Sequence, residues 1–278
     1  MGELVHLPKE KDWLPDNKEV DIVTEKAVEE EDRIRRSTES VLSNATTLGP
    51  LEDDPWPSFH PSHVFRLDAQ GIGLLRLPLP PRQLEISIYG ADGSPAYVSR
   101  RSKRCSGDCV LSHPQLGDLL STTFYFGPNR NPVIRFLQSS DGYHNNDKKH
   151  PDATSVAVSG KWSTRTTNFT TPEGRTFEWS YAKRRDSNGR RVNLIILRRK
   201  QDDGNGQILA QLVRSDETRT AGSARSTAGN GGVLLVDQGA WKLLDEALIV
   251  ATCLIMLKKE IDRRRAVQMA VIAGVAAL

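Results

Sequence analysis

The chain has 278 residues, of which 37% are hydrophobic, 26% charged and only 6% aromatic, and its formal net charge is +3. This composition fits one globular domain of ordinary size with additional polar sequence, and it does not require a second domain. Three cysteines, one of them inside an apolar run, argue against a disulfide scaffold, and the opening residues lack the pattern of a signal peptide or a first transmembrane helix. The expected location is the cytoplasm, with peripheral membrane contact or the nucleus as alternatives.

The charge is divided unequally along the chain. Residues 1–60 hold 7 Lys or Arg and 15 Asp or Glu, whereas residues 61–278 hold 31 and 20. The first part, 1–57, is poor in aromatic residues and is predicted to be a disordered acidic arm. The basic remainder favours an anionic partner such as a phospholipid headgroup or nucleic acid, although the same excess of charge also promotes solubility.

The residues after the acidic arm form short apolar runs, separated about every ten residues by Gly, Pro, Asn or Asp, which predicts successive β-strands. Phe177, Trp179 and Tyr181 alternate with polar residues and should share the face that lines a core, whereas the continuously apolar 194–197 predicts a strand covered on both faces. Two long segments, 139–152 and 215–232, are predicted to be mobile linkers. The predicted strands are 63–67, 73–79, 83–89, 96–101, 122–126, 132–137, 155–162, 175–183, 192–199, 208–214 and 232–236.

A helix is predicted next, at 245–257, with Asp245 as its N-cap. Eleven residues, 247–257, contain only one polar side chain, that of Thr252. Such a helix is roughly 17 Å long and cannot cross a hydrocarbon core of about 30 Å, yet an apolar surface on every side must be buried. The sequence therefore predicts a mainly β fold, a closed antiparallel barrel of about 11–12 strands around this helix. The barrel is expected to occupy 58–265 and to be followed by a small-residue apolar tail, 266–278.

The segments "RTFEWSYAKRR", "VNLIILRRK", "ILAQLVR", "GVLLV" and "LDEALIVATCLIML", in this order, resemble the tubby-like C-terminal fold. That fold is shared by tubby proteins, the plant LURP-one-related proteins and the phospholipid scramblases; the chain is also similar to uncharacterised fungal proteins that end in an apolar helix and a Lys/Arg tract. The resemblance implies a closed barrel plugged by the terminal helix, with no common catalytic site. The terminal signature of tubby proteins and a calcium-ligand cluster are not found in the sequence, so no family binding residue is carried over.

Two basic clusters are the candidate sites for binding anionic lipid. The first cluster lies in a predicted hairpin. If 177–185 and 190–199 pair, its charges should gather at one end of the sheet, where they could bind phosphoinositide phosphates. The alternative is a solvated hairpin whose arginines protect an edge strand. The second cluster follows the helix and could contact lipid with 266–278 as a short interfacial anchor, the alternative being a tail packed on the barrel. The first cluster is Lys183, Arg184, Arg185, Arg190, Arg191, Arg198, Arg199 and Lys200; the second is Lys258, Lys259, Arg263, Arg264 and Arg265.

Other motifs add little to these two clusters. Cys105, Cys109 and His113 have the spacing C-x3-C-x3-H, which could supply three zinc ligands, but a fourth ligand is lacking and a plain strand connection is expected instead. No H-E-x-x-H, G-x-S-x-G or P-loop motif occurs, so no cofactor and no enzymatic activity are expected. The first hypothesis is a peripheral membrane module that binds anionic phospholipid or a protein partner. The alternatives are a nucleic-acid-associated protein that uses the same surface and, third, scramblase-like lipid handling.

Overall fold

A computed structural model describes residues 59–74, 83–104, 106–125, 131–137, 155–160, 164–185, 189–200 and 206–276. Three of the sequence predictions lie wholly or mostly outside these ranges. They are the disordered acidic arm 1–57, the mobile linker 139–152 and the strand 73–79, of which only Gly73 and Leu74 are described and neither belongs to a strand.

Twelve antiparallel strands in the described ranges form one closed barrel, which confirms the predicted fold class. Each strand pairs with its neighbours along the chain, and β12 closes the barrel by pairing with β1, for example at Val64 and Leu235. The strands are β1 (Pro61–Leu67), β2 (Glu85–Tyr89), β3 (Pro95–Arg101), β4 (Cys109–His113), β5 (Gly117–Thr123), β6 (Val133–Phe136), β7 (Ser155–Ser159), β8 (Thr167–Thr170), β9 (Thr176–Arg185), β10 (Arg191–Arg199), β11 (Ile208–Arg214) and β12 (Gly232–Asp237).

The strand predictions differ from the structure at three places. β4 and β8 are not among the predicted strands. Each is short and largely polar, and each has only one buried apolar side chain, Leu111 in β4 and Phe169 in β8. The predicted strand 122–126 is shifted, since β5 ends at Thr123. The chain leaves the ladder there because the Phe124 N–H donates to the Asp108 carboxylate, at 2.7 Å, instead of to a neighbouring strand.

After β12 a short 3-10 helix (Ala240–Lys242) leads to the α-helix α1 (Glu246–Ala276), which runs through the barrel. The Asp245 carboxylate accepts the Leu248 N–H at 3.1 Å, which confirms the predicted N-cap. Every residue from Ala247 to Leu257 is buried, and the inward-facing side chains of the strands pack around them as one core. The predicted enclosure of the apolar helix is therefore confirmed.

The one polar residue in this buried stretch has its hydrogen bonds satisfied inside the core. The indole N–H of Trp179 donates to the Thr252 hydroxyl at 3.0 Å, and this hydroxyl donates to the Leu248 carbonyl at 2.8 Å. Both Trp179 and Thr252 are fully buried. Thr252 thus connects the helix to β9 without leaving a polar group unpaired.

The helix does not end at Leu257 as predicted, and the residues predicted to be a separate tail, 266–278, continue it as far as Ala276. No Gly or Pro interrupts the chain between Leu257 and Gly274, and Lys258 pairs with Asp262 one turn later, at 2.6 Å. The basic residues after the barrel are therefore helical. Within the described ranges, no helix has both the length and the apolar character needed to cross a bilayer.

The prediction that 194–197 would be covered on both faces is confirmed. Ile195 and Leu197 point into the central core, whereas Leu194 and Ile196 belong to a second buried cluster on the outer side of the sheet. All four residues are buried, as expected for a continuously apolar strand.

The two ends of the barrel differ in their relation to the helix. Because antiparallel strands alternate in direction, the connections after odd-numbered strands lie at one end and those after even-numbered strands at the other. We call the end where α1 begins the base; there the Tyr97 hydroxyl donates to Glu246 at 2.7 Å. We call the end where α1 leaves the barrel the mouth; there the Arg214 side chain, at the end of β11, contacts Glu260.

Candidate anion-binding site

The basic hairpin forms as predicted, but its charges do not gather at one end. In the β9–β10 ladder Arg185 pairs with Arg191, and Arg199 pairs with Phe177. At about 3.3 Å per residue, the two groups of cations lie roughly 25 Å apart. Lys183, Arg184, Arg185, Arg190 and Arg191 lie at the mouth, whereas Arg198, Arg199 and Lys200 lie at the base.

The mouth holds a cationic cleft with a volume of about 690 Å³. Among the residues that line this cleft, seven are cations and one, Glu260, is an acid. Two of the cations come from strands, two from α1, two from the β11–β12 connection and one from the β7–β8 connection. They are Lys183, Arg214, Arg263, Arg264, Arg219, Arg225 and Arg165.

The connection between β11 and β12, predicted to be mobile, is instead packed onto the barrel. The Thr218 hydroxyl donates to the Val213 carbonyl at 2.9 Å, and Ile72 and Ala228 exchange backbone hydrogen bonds at 2.8 and 2.9 Å. Gly229 has a φ of +72°, and a Cβ there would lie 2.4 Å from the Ile261 side chain of α1. The loop is therefore held against the helix, where it contributes Arg219 and Arg225 to the cleft.

Tyr181 is the aromatic residue of the cleft, and two guanidinium groups cover its ring. The Arg165 and Arg263 guanidinium carbons lie 5.8 and 5.9 Å from the ring centroid, and Arg263 also donates to the Tyr181 hydroxyl at 3.2 Å. Burial, and then the nearby Glu260 charge, raise the pKa of the Tyr181 hydroxyl, which therefore stays neutral. The ring is thus already engaged by the two arginines.

A buried ion pair forms the floor of the cleft. Arg214 donates to both carboxylate oxygens of Glu260, at 2.8 and 3.0 Å, and Glu260 also accepts the Gly229 N–H at 2.8 Å. Burial alone would raise the pKa of the Glu260 carboxyl, but the Arg214 charge and these hydrogen bonds outweigh it, so the pKa is lowered. The single acid of the cleft is thus ionised and already neutralised by Arg214.

The remaining cations of the cleft are not neutralised to the same extent. Arg219 forms an ion pair with Asp216, yet burial and the neighbouring Arg225 charge lower the pKa of its guanidinium. Within the described part of the chain, no carboxylate lies at ion-pair distance from Arg165, Lys183, Arg225, Arg263 or Arg264. The Nη1 atom of Arg264 is buried and has no hydrogen-bond partner. The cleft therefore presents several cations that have no carboxylate partner, and phosphate or carboxylate oxygens could supply the missing negative charge.

The other predicted lipid-binding residues at the mouth lie around the cleft rather than in it, whereas Arg198, Arg199 and Lys200 lie at the base. Arg184 faces the outer side of β9, and burial lowers the pKa of its guanidinium. Lys258 pairs with Asp262 and lies 5.0 Å above the Phe124 ring. Burial, and then the Arg263 charge, lower the pKa of Lys259 to about 8. Arg185, Arg190, Arg191 and Arg265 belong to the mouth but do not line the cleft.

The sequence analysis missed four of the seven cleft cations, namely Arg165, Arg214, Arg219 and Arg225. They come from separate parts of the chain and share no motif. The usable signal is the alternation of strand direction, which places the connections after β7, β9 and β11 at the same end.

The structure does not bring the zinc candidates together. Cys109 and His113 lie at opposite ends of β4, about 13 Å apart at 3.3 Å per residue, whereas Zn–S and Zn–N bonds are about 2.0–2.3 Å long. Cys105 lies outside the described residues. No group of three or more His, Cys, Asp or Glu side chains suited to a metal ion occurs within the described ranges.

Comparisons with known proteins do not identify a family. Neither protein-family models nor curated proteins nor solved structures give a significant match to this chain.

Proposed function

We propose that this protein is a non-enzymatic, tubby-like barrel that binds an anionic phospholipid headgroup in the cleft at the mouth, and so acts as a peripheral membrane module. The supporting observation is the cleft itself, where seven cations and one already neutralised acid surround about 690 Å³. The closed barrel around an apolar helix agrees with the architecture that the tubby-like resemblance implies.

The geometry favours a phosphate-bearing headgroup over a nucleic acid. Proteins that bind single-stranded nucleic acid commonly combine a basic groove with exposed aromatic side chains on which bases stack. In this cleft the aromatic ring, Tyr181, is covered by Arg165 and Arg263. A concave group of guanidinium donors suits the several oxygens of a phosphate group better than an extended strand.

The test is binding to vesicles of phosphatidylcholine, with and without phosphatidylserine, over a range of salt concentrations. The diagnostic variant is Lys183→Glu/Arg225→Glu, since both residues line the cleft and both are exposed. A charge-assisted hydrogen bond contributes about 1.5–3 kcal/mol, so the loss of two should weaken binding to anionic vesicles at least tenfold. The matched control is Arg199→Glu/Lys200→Glu, which changes the net charge equally at the base and should have a much smaller effect.

Two results would contradict the proposal. If both variants weaken vesicle binding equally, the protein responds to net charge and not to the cleft. If the protein binds an oligonucleotide more tightly than anionic vesicles at the same salt concentration, and the cleft variant abolishes that binding, the nucleic-acid alternative is correct.

A further inference from the structure

The last part of α1, residues 266–276, extends beyond the mouth, and its described side chains after Gln268 are exposed. From Ala266 to Gly274 every described side chain is exposed except that of Gln268, whose amide donates to the Leu74 carbonyl at 3.0 Å. Val267, Val271 and Met269 are 61%, 60% and 55% exposed. Residues 269–274 are therefore not packed on the barrel, contrary to the alternative of a packed tail.

The protruding segment is apolar on all sides. It contains no charged residue, and Gln268 at its beginning is its single strongly polar side chain. With about 100° between successive residues of a helix, Met269 and Ile272 share one side and Val267 lies roughly opposite them. Ala270 and Ala273 lie on the arc between Met269 and Val267, so each side of the helix presents an apolar residue. A helix that lies flat in a membrane interface needs one polar face, which this segment lacks, whereas a helix that is apolar all round requires burial on every side.

The cationic cleft lies next to the N-terminal end of this segment. Arg263 and Arg264 immediately precede it in α1, and Val267 itself lines the cleft together with Leu74. The molecule thus places a cluster of cations at one level along the axis of α1 and an exposed apolar helical segment beyond it. An anionic bilayer has the complementary order, with phosphates at its surface and acyl chains beneath them.

From this charge complementarity we infer that the protruding segment inserts end-on into one leaflet of an anionic bilayer, with the cleft at the level of the headgroups. Residues 266–276 extend about 16 Å at 1.5 Å per residue, and one leaflet contributes about 15 Å of a 30 Å hydrocarbon core. Packing of this segment against a second copy in parallel would bring two sets of arginines together in water. This inference rests on the proposed function, because the cleft must face the headgroups.

The experiment compares partition into vesicles of phosphatidylcholine and phosphatidylserine for two uncharged double variants. Val271→Gln/Ile272→Gln makes the protruding segment polar without altering the net charge. Leu116→Gln/Trp241→Gln makes the same kind of change at the base, where these side chains are 63% and 61% exposed. We expect the first variant to lower the partition coefficient at least about tenfold, since it removes two apolar side chains from the acyl region, and the second to change it less than about twofold.

A second measurement locates the segment in the bilayer. Ile272→Trp should be quenched by lipids brominated along the acyl chain more strongly than the wild-type protein, whereas Leu116→Trp should show no additional quenching. These two results together support end-on insertion.

The possible failures are distinguishable. If Val271→Gln/Ile272→Gln partitions like the wild type while Lys183→Glu/Arg225→Glu does not, the insertion is wrong and the proposed function stands. If the wild type does not bind anionic vesicles, both are wrong. If light scattering finds a wild-type dimer that Val271→Gln/Ile272→Gln converts to a monomer, with unchanged partition, the segment is a self-association surface and the insertion is wrong.

Discussion

Replacing Glu260 with Gln tests whether the buried ion pair at the mouth stabilises the barrel and its helix. Arg214 and Glu260 side chains are only 8% and 13% exposed, and their closest atoms lie 2.8 Å apart. Neutralising one partner of a buried pair costs about 3–5 kcal/mol, because the remaining charge is left buried without a counter-charge. Gln keeps an acceptor oxygen for Arg214 and for the Gly229 N–H, so we expect the lower end of this range, about 3 kcal/mol.

Thermal unfolding followed by circular dichroism measures this loss. At about 2–4 °C per kcal/mol for a domain of this size, the unfolding midpoint of Glu260→Gln should fall by roughly 6–12 °C at pH 7. The matched control is Asp262→Asn, which breaks the Lys258–Asp262 pair on the same helix, where Asp262 is 37% exposed. A more exposed pair contributes at most about 1 kcal/mol, so the control should lose no more than a few degrees.

The same pair predicts a pH dependence. Because the folded state lowers the pKa of Glu260 below its ordinary value of 4.5, its contribution to stability is present above about pH 4.5 and is lost as the pH falls through the lowered pKa. The difference between wild type and Glu260→Gln should therefore be constant above pH 5 and shrink below pH 4.5. Equal midpoints at pH 7, or a difference that persists undiminished in acid, would refute this account of the mouth.

Three further changes give independent tests. Thr252→Val leaves the buried Trp179 N–H without an acceptor and should cost about 1–3 kcal/mol, whereas Thr252→Ser, which keeps the hydroxyl, should cost less in the same denaturation assay. Lys259→Met should be more stable than wild type at pH 7, and this difference in stability should shrink between about pH 8 and pH 10.5. Over that pH window the folded wild type has already released the Lys259 proton, whereas the unfolded chain still holds it. A difference that does not depend on pH would contradict the lowered pKa. A third hypothesis is that the acidic arm screens the cationic cleft. Deletion of residues 1–57, which removes 15 acidic and 7 basic residues, should then raise the affinity for anionic vesicles, and an unchanged affinity would contradict the screening.

The central architecture could be predicted because its pattern is local. The helix must be buried on every side, since Ala247 to Leu257 contain only Thr252 as a polar residue, and many short strands offer a surface to enclose it. Phe177 and Trp179 alternate with polar neighbours, and both are fully buried in the barrel. These features depend on residues close together in the chain.

The strand β8 and the end of α1 could not be predicted, because each depends on one or two residues rather than on a repeated pattern. β8 has only Phe169 as a fully buried apolar side chain, which is too little for an alternating pattern. Two adjacent lysines, Lys258 and Lys259, are typical of a helix C-terminus and therefore favour a helix end at Leu257 when only the sequence is considered. In the structure, Lys258 instead pairs with Asp262 inside the continuing helix.

The cleft is formed by residues that are distant in the chain, so no local sequence motif predicts it. Lys183 and Arg198 belong to one basic hairpin in the sequence, yet strand direction sends them to opposite ends of the barrel. Arg165 and Arg225, far apart in the chain, meet at the mouth because both follow odd-numbered strands.

Local patterns of apolar and polar residues were thus enough to establish a β-rich chain, an apolar helix and a basic body, because burial of apolar side chains acts on neighbours along the chain. The closure of twelve strands decides which cations share an end, which acid is neutralised and which apolar residues stay outside. Those outcomes follow from the pairing of distant strands, and the free energy of an ion pair such as Arg214–Glu260 depends on the burial that the closed barrel creates.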